Sequence, residues 1–316
     1  MNRRGFLKTA AAGAGSFMIV PGRVLGLEGQ TPPSGRLNIA TIGLGWPGCK
    51  DTNALAGDNN IVALCDVDAT RDPEFRKKYP GAKSFQDYRR MWDELGKTID
   101  AVIVATPDHT HAVLALEAIR RGKHVYCEKP LAHSIGEVRA LMQAAREHKV
   151  VTQLGNQGHS SNETRLLCEW LADGAIGKVH TVHACSKSVN TGLDRLAEAR
   201  KGAPVPANLD WDLWLGPAQQ RPFSSAYAPH AWRGWVPFGS GTLGDWACHV
   251  LGPVFRGLDL GAPATVVAEV KDYPQEVRGE VFPRGDVVTF EFPAKGARWP
   301  VTLKWHSGSE RMPRPP

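Results

Sequence analysis

The sequence lacks several features that would assign it to a common class of protein. Its six cysteines form no C-x-x-C pair and no zinc-finger spacing, and we assign no metal. Beyond the N-terminal segment, no apolar run is long enough to cross a bilayer. The net charge is +6, and Arg3, Arg4, Lys8 and Arg23 supply four of those charges, which leaves +2 for the remainder. So small a charge gives no electrostatic reason to expect nucleic acid as a partner.

The cysteines are expected to be small buried hydrophobic residues rather than disulfide partners. A chain of 316 residues with 42% hydrophobic residues builds a core without needing cross-links. The cysteines stand at Cys49, Cys65, Cys127, Cys168, Cys185 and Cys248.

The N-terminus differs in character from the rest of the chain. The pair Arg3-Arg4 precedes an apolar, Ala- and Gly-rich stretch at 9–20, and its length of about 12 residues is too short to span a bilayer unaided. This arrangement resembles the twin-arginine (Tat) export signal. The resemblance implies that residues 1–35 are a signal and linker, and that the Tat machinery exports the protein to the periplasm. The segment is then either cleaved near 24–26 or kept as a membrane anchor; the alternative is a disordered basic N-terminus.

Residues 36–155 alternate between short apolar runs and helical patterns. Ser134 with Glu137, and Ser84 with Asp87, have the spacing of a capping box that opens a helix. This alternation predicts an α/β fold, a Rossmann domain whose parallel sheet carries helices on both faces. The runs suited to buried strands lie at 37–42, 61–65, 101–105, 124–127 and 150–154.

A glycine-rich turn of the form G-x-G-x-x-G follows the first predicted strand. Gly43 permits a tight turn, Gly45 lets backbone N–H groups approach a diphosphate, and Gly48 allows close packing of the next helix. Asp66 ends the next strand, where its carboxylate can accept hydrogen bonds from both ribose hydroxyls and repel a 2′-phosphate. The pattern therefore predicts NAD as the cofactor, with NADP disfavoured, although Arg71 lies near enough in sequence to soften that preference.

Polar clusters follow two later strands, at the edge of the sheet where ligands of such folds bind. Together with the glycine turn and Asp66, they resemble the glucose–fructose oxidoreductase/inositol dehydrogenase family, also called Gfo/Idh/MocA, over about residues 36–310. The resemblance implies that these clusters, with Asn156 and Gln157, contact the cofactor, although a loop-stabilising role is equally open for the last two. The clusters are Thr106, Pro107, His109 and His111 after one strand, and Glu128 and Lys129 after the next.

The same resemblance implies a second, substrate-binding domain over residues 156–316. Its fold is α+β, an open and mostly antiparallel sheet with helices on one face, through which relatives form homo-oligomers. The chain ends soon after the last predicted strand, so we expect this domain to be incomplete. The candidate strands, rich in Val, Thr and aromatic residues, lie at 178–187, 265–271, 287–292 and 301–305.

Lys129, Asp245 and His249 are the catalytic residues that the resemblance implies. Asp245 and His249 are four residues apart, so they share one face of a helix. The alternative for Asp245 is a helix cap, and for His249 a hydrogen-bonded histidine at a helix end. Many relatives carry a carboxylate three residues after this histidine, where this chain has Gly252.

Aromatic residues between 211 and 246 offer flat surfaces for the apolar faces of a sugar, or else form a packed loop core. We expect Trp232 and His159 to contact the substrate, together with the catalytic residues. The five tryptophans in this stretch are Trp211, Trp214, Trp232, Trp235 and Trp246.

The resemblance implies an enzyme that retains its NAD tightly. Hydride would pass between the nicotinamide and a hydroxyl-bearing carbon of a sugar, glycoside or polyol. One alternative is an NAD-dependent glycoside hydrolase of the family 109 type, which oxidises C3 transiently and eliminates the aglycone. A second alternative is a non-catalytic NAD-binding module.

Overall fold

Two β-sheets organise the chain in the computed structural model, which describes residues 31–296, 298–308 and 312–313. The N-terminal sheet is parallel throughout and has the strand order β3-β2-β1-β4-β5-β6, so its direction of growth reverses between β1 and β4. Its strands are β1 (Asn38–Ile42), β2 (Asn60–Cys65), β3 (Lys83–Phe85), β4 (Ala101–Val104), β5 (His124–Glu128) and β6 (Thr152–Gly155).

Helices connect these strands and bury them on both faces. The apolar run of β4 pairs with both β1 and β5, and Val102 and Val104 are each at most 1% exposed. These strands, with the inner faces of the helices, form one hydrophobic core, as expected for a parallel sheet. The helices are α1 (Trp46–Leu55), α2 (Pro73–Lys78), α3 (Tyr88–Leu95), α4 (Asp108–Arg120) and α5 (Ile135–His148).

The C-terminal sheet has four strands in the order β7-β10-β9-β8. β10 pairs in parallel with β7 and antiparallel with β9, and β8 pairs antiparallel with β9. This mixed, mostly antiparallel sheet and the parallel Rossmann sheet confirm the predicted fold class. The strands are β7 (Thr181–Ser186), β8 (Thr265–Val270), β9 (Asp286–Phe292) and β10 (Val301–Ser307).

The last two helices of the second half pack on one face of this sheet. A core around Trp305, Leu303 and Phe292, each at most 2% exposed, joins the sheet to these two helices and to Leu251 between them. The helices of the second half are α6 (Asn162–Ala172), α7 (Leu196–Lys201), α8 (Trp211–Leu215), α9 (Gly241–Val250) and α10 (Gly252–Gly257).

The structure confirms one of the two predicted capping boxes and contradicts the other. Ser134 and Glu137 form the predicted capping box of α5. Ser84 does not cap α3, because it lies in the short strand β3, and Asp87 alone caps that helix by accepting the Arg89 amide. The six cysteines are all free, but only half of them are buried, since Cys168, Cys185 and Cys248 are partly exposed.

The predicted export signal at 1–30 lies outside the described residues, as do most residues beyond 308. Within the part that the structure describes, no helix has the length and apolar character needed to cross a membrane. The linker at 31–35 is described and includes a short 3₁₀ turn, Pro33–Gly35.

Candidate active site

A cleft of about 1200 Å³ runs along the carboxyl-terminal edge of the parallel sheet. Ile42, Cys65 and Glu128, at the ends of β1, β2 and β5, contribute to one wall. Asp245 and His249 from α9 contribute to the opposite wall. The cleft is larger than most small-molecule pockets, so it has room for an elongated ligand that reaches from one domain to the other.

The glycine turn forms one end of the cleft. Gly43 has a φ of +93°, and a Cβ there would lie 2.5 Å from the carbonyl oxygen of Ala105. A Cβ on Gly48 would lie 2.0 Å from the carbonyl oxygen of Gly43, so only glycine lets α1 pack this closely on the turn. Gly45, by contrast, has no neighbour within 3.8 Å of a Cβ position, so its surface is open to the cleft.

The first turn of α1 supplies the hydrogen-bond donors that an anion needs. Gly45 is the N-cap residue and has no side chain to satisfy the free amides, and the first turn carries no acidic residue. Unsatisfied amides at a helix N-terminus favour a phosphate group. This end of the cleft therefore fits the diphosphate of a dinucleotide.

Asp66 stands beside the turn and lines the cleft. Its carboxylate accepts the backbone N–H groups of Leu44 at 2.8 Å and Asp68 at 2.9 Å. Burial raises the pKa of Asp66, and these two hydrogen bonds and the charge of Arg71 partly oppose that rise. Each carboxylate oxygen can accept a second hydrogen bond, so Asp66 holds the glycine turn in place and remains able to bind a ribose hydroxyl.

The predicted catalytic residues meet at the other end of the cleft. Lys129 donates from Nζ to Asp245 Oδ1 at 2.6 Å and to the Asp245 carbonyl oxygen at 3.1 Å. The two side chains are 14% and 15% exposed. His249 lies one helical turn after Asp245 and lines the same cleft. The structure thus brings together an amine, a carboxylate and an imidazole, the first of them 116 residues from Asp245 in sequence.

Two further residues hold Asp245, and sequence reasoning missed both. Asn190 donates from Nδ2 to Asp245 Oδ2 at 3.0 Å, and Arg233 Nε lies 3.4 Å from Oδ1. Burial acts to raise the pKa of Asp245, but the hydrogen bond and charge of Lys129, with Arg233 and Asn190, hold it below its ordinary value. No spacing in the sequence links these residues to Asp245, because only the folding of separate loops brings them together.

His249 is suited to accept a proton. Burial and the nearby charge of Lys129 lower the pKa of His249 below 6.5, although Asp245 and Glu128 act in the opposite direction. The ring is therefore neutral near pH 7, and a neutral imidazole can act as a base. The Trp246 ring lies 6.2 Å away in an edge-on contact.

Six other predicted residues line the cleft, and one of them has an additional structural role. The ring nitrogens of His111 each lie 2.7 Å from a backbone carbonyl oxygen, of Pro130 and Thr106. Burial acts to lower the pKa of His111, but neighbouring groups, including Cys127 and Asp108, raise it to about 9. His111 therefore bridges the turn after β4 and the turn after β5 through its two ring nitrogens. The six residues are Thr106, Pro107, His111, Glu128, Gln157 and Trp232.

His109 and Asn156 do not line the cleft, so their predicted cofactor contacts stay predictions. His109 is 2% exposed and its ring nitrogens lie 3.2 and 3.0 Å from the carbonyl oxygens of Phe238 and Trp214. Asn156 donates from Nδ2 to the Cys248 carbonyl oxygen at 2.6 Å. Both residues join the two domains.

His159 is not among the residues that line the cleft, and its predicted substrate contact stays a prediction. A Cβ at position 252 would lie 2.8 Å from Cδ2 of His159, so the histidine ring packs directly on Gly252. This contact gives a physical reason for the glycine, since any side chain at 252 would displace the ring.

The tryptophans serve mainly as core residues. Four of the five are at most 9% exposed and form an aromatic cluster with Tyr227 and Phe238. Trp246 is 40% exposed and lines the cleft, so it is the one best placed to offer a ring face to a ligand.

The residues of the cleft fit a nicotinamide dinucleotide. The cleft offers uncapped amides for the diphosphate and, beside them, the acceptor Asp66 for a ribose hydroxyl. It also offers a proton-accepting site where the nicotinamide would meet the substrate. Among the described residues, no group of three or more His, Cys, Asp or Glu side chains is placed to hold a metal ion.

Comparison with protein families gives a match in each half of the chain. The family model GFO_IDH_MocA, described as "Oxidoreductase family, NAD-binding Rossmann fold", matches residues 37–156. The model GFO_IDH_MocA_C2, described as "Oxidoreductase family, C-terminal alpha/beta domain", matches residues 185–281. The two matches together span well over half of the chain.

Similar proteins include sugar and polyol dehydrogenases. Myo-inositol 2-dehydrogenase of Thermotoga maritima is 27% identical over 153 residues, which are 48% of this chain and 45% of the relative. The 1,5-anhydro-D-fructose reductase of Ensifer adhaerens is 44% identical over 146 residues, 46% of this chain and 42% of the relative. The matched region thus spans less than half the length of these curated relatives.

A solved structure shares the fold across both domains. GenD2 from gentamicin A biosynthesis, in complex with NAD, aligns with a TM-score of 0.62 at 22% identity, covering 88% of this chain and 67% of that chain. At this identity the likeness concerns the fold alone.

Proposed function

Because the chain belongs to the Gfo/Idh/MocA oxidoreductase family, we propose that it transfers a hydride between NAD and a hydroxyl-bearing carbon of a sugar, glycoside or polyol. Its N-terminal domain is the NAD-binding Rossmann fold of that family. The named activities of similar proteins, an inositol dehydrogenase and an anhydrofructose reductase, support a polyhydroxylated substrate. We further propose that the cofactor is held tightly and reused.

One observation carries this proposal. Lys129 and Asp245 form a short, largely buried contact of 2.6 Å, and His249 lies one turn away in the cleft that begins at the glycine turn. A buried ion pair gives little stability by itself, so its place in a ligand cleft favours a chemical role.

Three side chains have separate tasks in the proposed reaction. His249 accepts the hydroxyl proton, because its lowered pKa keeps the imidazole neutral. Lys129 donates a hydrogen bond to the same oxygen and stabilises the negative charge that develops there. Asp245 orients Lys129 and is a poor base itself, since Lys129, Arg233 and Asn190 all face its carboxylate. The glycine turn and Asp66 would hold NAD, which would supply the hydride acceptor; loss of hydride from carbon to NAD and of the hydroxyl proton to His249 would leave a carbonyl group.

The test begins with the cofactor. Mass spectrometry of the small molecule released from purified protein should detect NAD. The protein is then offered polyols, aldoses and glycosides, and NADH formation with an alcohol substrate supports the dehydrogenase. Glycoside cleavage without net NADH formation would favour the family 109 type of hydrolase, and NAD binding without any turnover would favour the non-catalytic module.

Export and assembly are proposals of the same kind. We propose that the twin-arginine segment directs export to the periplasm, which fusion of residues 1–35 to a reporter would test. We also propose that the C-terminal sheet joins copies of this chain through its edge strand β8, where Val266 and Val267, which point to opposite faces of the sheet, are 54% and 56% exposed. Light scattering of the protein and of a Val267→Lys variant would test the second proposal.

A further inference from the structure

Two buried carboxyl groups meet in the cleft between the glycine turn and the catalytic residues. Asp51 from α1 is 7% exposed and Glu128 at the end of β5 is 6% exposed, and both line the cleft. Glu128 acts on the Asp51 carboxyl through its charge and as a hydrogen-bonding neighbour. Glu128 Oε1 also accepts Gln157 Nε2 at 2.6 Å, and Oε2 accepts the Lys129 amide at 3.3 Å.

Asp51 has an oxygen that the protein leaves without a partner. Its Oδ2 is buried and has no hydrogen-bond partner among the described residues. An orphaned buried oxygen is costly, and such a group in a cleft wall is a candidate ligand contact. The nearby cation, Lys50, is exposed and lies over the Trp46 ring at 5.1 Å, so it is a weak counter-charge.

Two carboxyl groups can hydrogen-bond to each other only when one of them carries a proton. Burial first, and then the charge of Glu128, raise the pKa of Asp51 to about 7. The same surroundings raise the pKa of Tyr126, which faces both groups, to about 12. A proton on Asp51 is therefore exchanged with solvent near neutral pH.

We propose that Asp51 and Glu128 form a carboxyl pair that shares one proton, binds the nicotinamide end of the dinucleotide and responds to its charge. This inference rests on the proposed function. With the diphosphate at the glycine turn and the reaction at Lys129 and His249, a dinucleotide would occupy the same cleft that Asp51 and Glu128 line. The unpartnered Asp51 oxygen supplies an acceptor for a ligand N–H group there.

The oxidised ring carries a positive charge and the reduced ring is neutral. A positive charge beside the pair favours loss of the shared proton, so the pair binds more protons beside NADH than beside NAD⁺. By linkage, rising pH must strengthen binding of NAD⁺ relative to NADH. The other charged or titratable groups around the pair are Lys50, Tyr126, Lys129 and His249.

The test measures which form of the cofactor the full chain prefers. Protein is equilibrated with mixtures of NAD⁺ and NADH from about pH 6 to 8.5, and the fraction of bound NADH is read from its fluorescence. One linked proton can change the ratio of the two affinities by up to about tenfold per pH unit. We expect the preference for NAD⁺ to rise about fivefold or more over this range.

Asp51→Asn removes the titratable carboxyl group and keeps the size and shape of the side chain. In this variant, the preference for NAD⁺ over NADH should therefore not change with pH. Asp212→Asn is the matched control: Asp212 is an exposed acid on the same cleft, and this variant should keep the wild-type slope. A flat preference in the wild type, or an unchanged slope in Asp51→Asn, overturns the inference.

A second measurement does not depend on any variant. Calorimetry in two buffers of different ionisation enthalpy counts the protons exchanged on binding. Near pH 7, NAD⁺ binding should release more protons than NADH binding, and equal counts would overturn the carboxyl pair. A protein that binds neither form contradicts the proposed function, which is a distinguishable result.

Discussion

Replacing Lys129 by alanine tests the chemical role of the ion pair most directly. The variant removes the donor that Lys129 is proposed to direct at the reacting oxygen. Loss of one such donor in a water-excluded site lowers kcat by about 10²–10³-fold, or about 2.7–4 kcal/mol of transition-state stabilisation. We expect a loss of that size in turnover, with the affinity for NAD changed less than about threefold, because the glycine turn and Asp66 are untouched.

The cost to folding should be smaller than the cost to catalysis. Stranding a buried charge typically costs about 3–5 kcal/mol. Asp245 would not be stranded here, since Asn190 still donates at 3.0 Å and Arg233 still lies 3.4 Å away. We therefore expect a decrease in the free energy of unfolding of about 1–3 kcal/mol, so the variant remains folded.

The assay is single-turnover reduction of bound NAD on a substrate identified by the polyol and glycoside panel. Lys77→Ala is the control, because Lys77 is an exposed lysine paired with the exposed Glu74. Circular dichroism and NAD binding verify that each variant is intact. A folded, NAD-binding Lys129→Ala protein that turns over within tenfold of wild type would refute the reasoning.

Three further predictions concern other parts of the cleft. In alcohol oxidation, kcat/KM should rise as His249 loses its proton, with a midpoint below the usual imidazole value because the pKa of this histidine is lowered; in His249→Ala that rise should vanish and turnover should fall by about 10²–10⁴-fold. A pH profile of the two proteins checks this, and an unchanged midpoint in the variant contradicts it. Gly48→Ala places a Cβ 2.0 Å from the Gly43 carbonyl oxygen, so NAD affinity should fall at least about tenfold or folding should fail; equilibrium dialysis and a melting curve distinguish these, and normal binding would be the contrary result. His109→Ala removes a buried ring with two carbonyl contacts and should lower stability by about 2–4 kcal/mol while NAD affinity stays within about threefold; a large loss of affinity in a stable variant would restore His109 to the cofactor site.

The local motifs in the N-terminal half predicted most of its architecture, because β1, β2, β4 and β5 are short, mainly apolar runs and the glycine turn follows β1 directly. The short strand β3 (Lys83–Phe85) is not an apolar run and was not predicted. Ser84 shows where local patterns fail: it has the spacing of a capping residue, but pairing with β2 draws it into β3. Strand pairing depends on residues far apart in the chain, so a four-residue pattern contains no information about it.

The candidate site divides in the same way. Lys129, Asp245 and His249 could be proposed because each belongs to a recognisable motif. Asn190 and Arg233 could not, since they belong to loops whose positions depend on packing of the second domain. His109 and His159 had the residue type and the location of site residues, but burial turned one toward backbone carbonyls and the other toward Gly252.

The sequence by itself determined most strands of the parallel sheet, the glycine turn and the chemical types at the ends of those strands, because these depend on periodicity and on neighbours a few residues apart. Only the tertiary structure decided which polar groups face the cleft, which serve the core, and that Asp51 lies against Glu128 with one oxygen unpartnered. Those outcomes depend on burial and on contacts between residues far apart in the chain, and an amino-acid pattern carries neither.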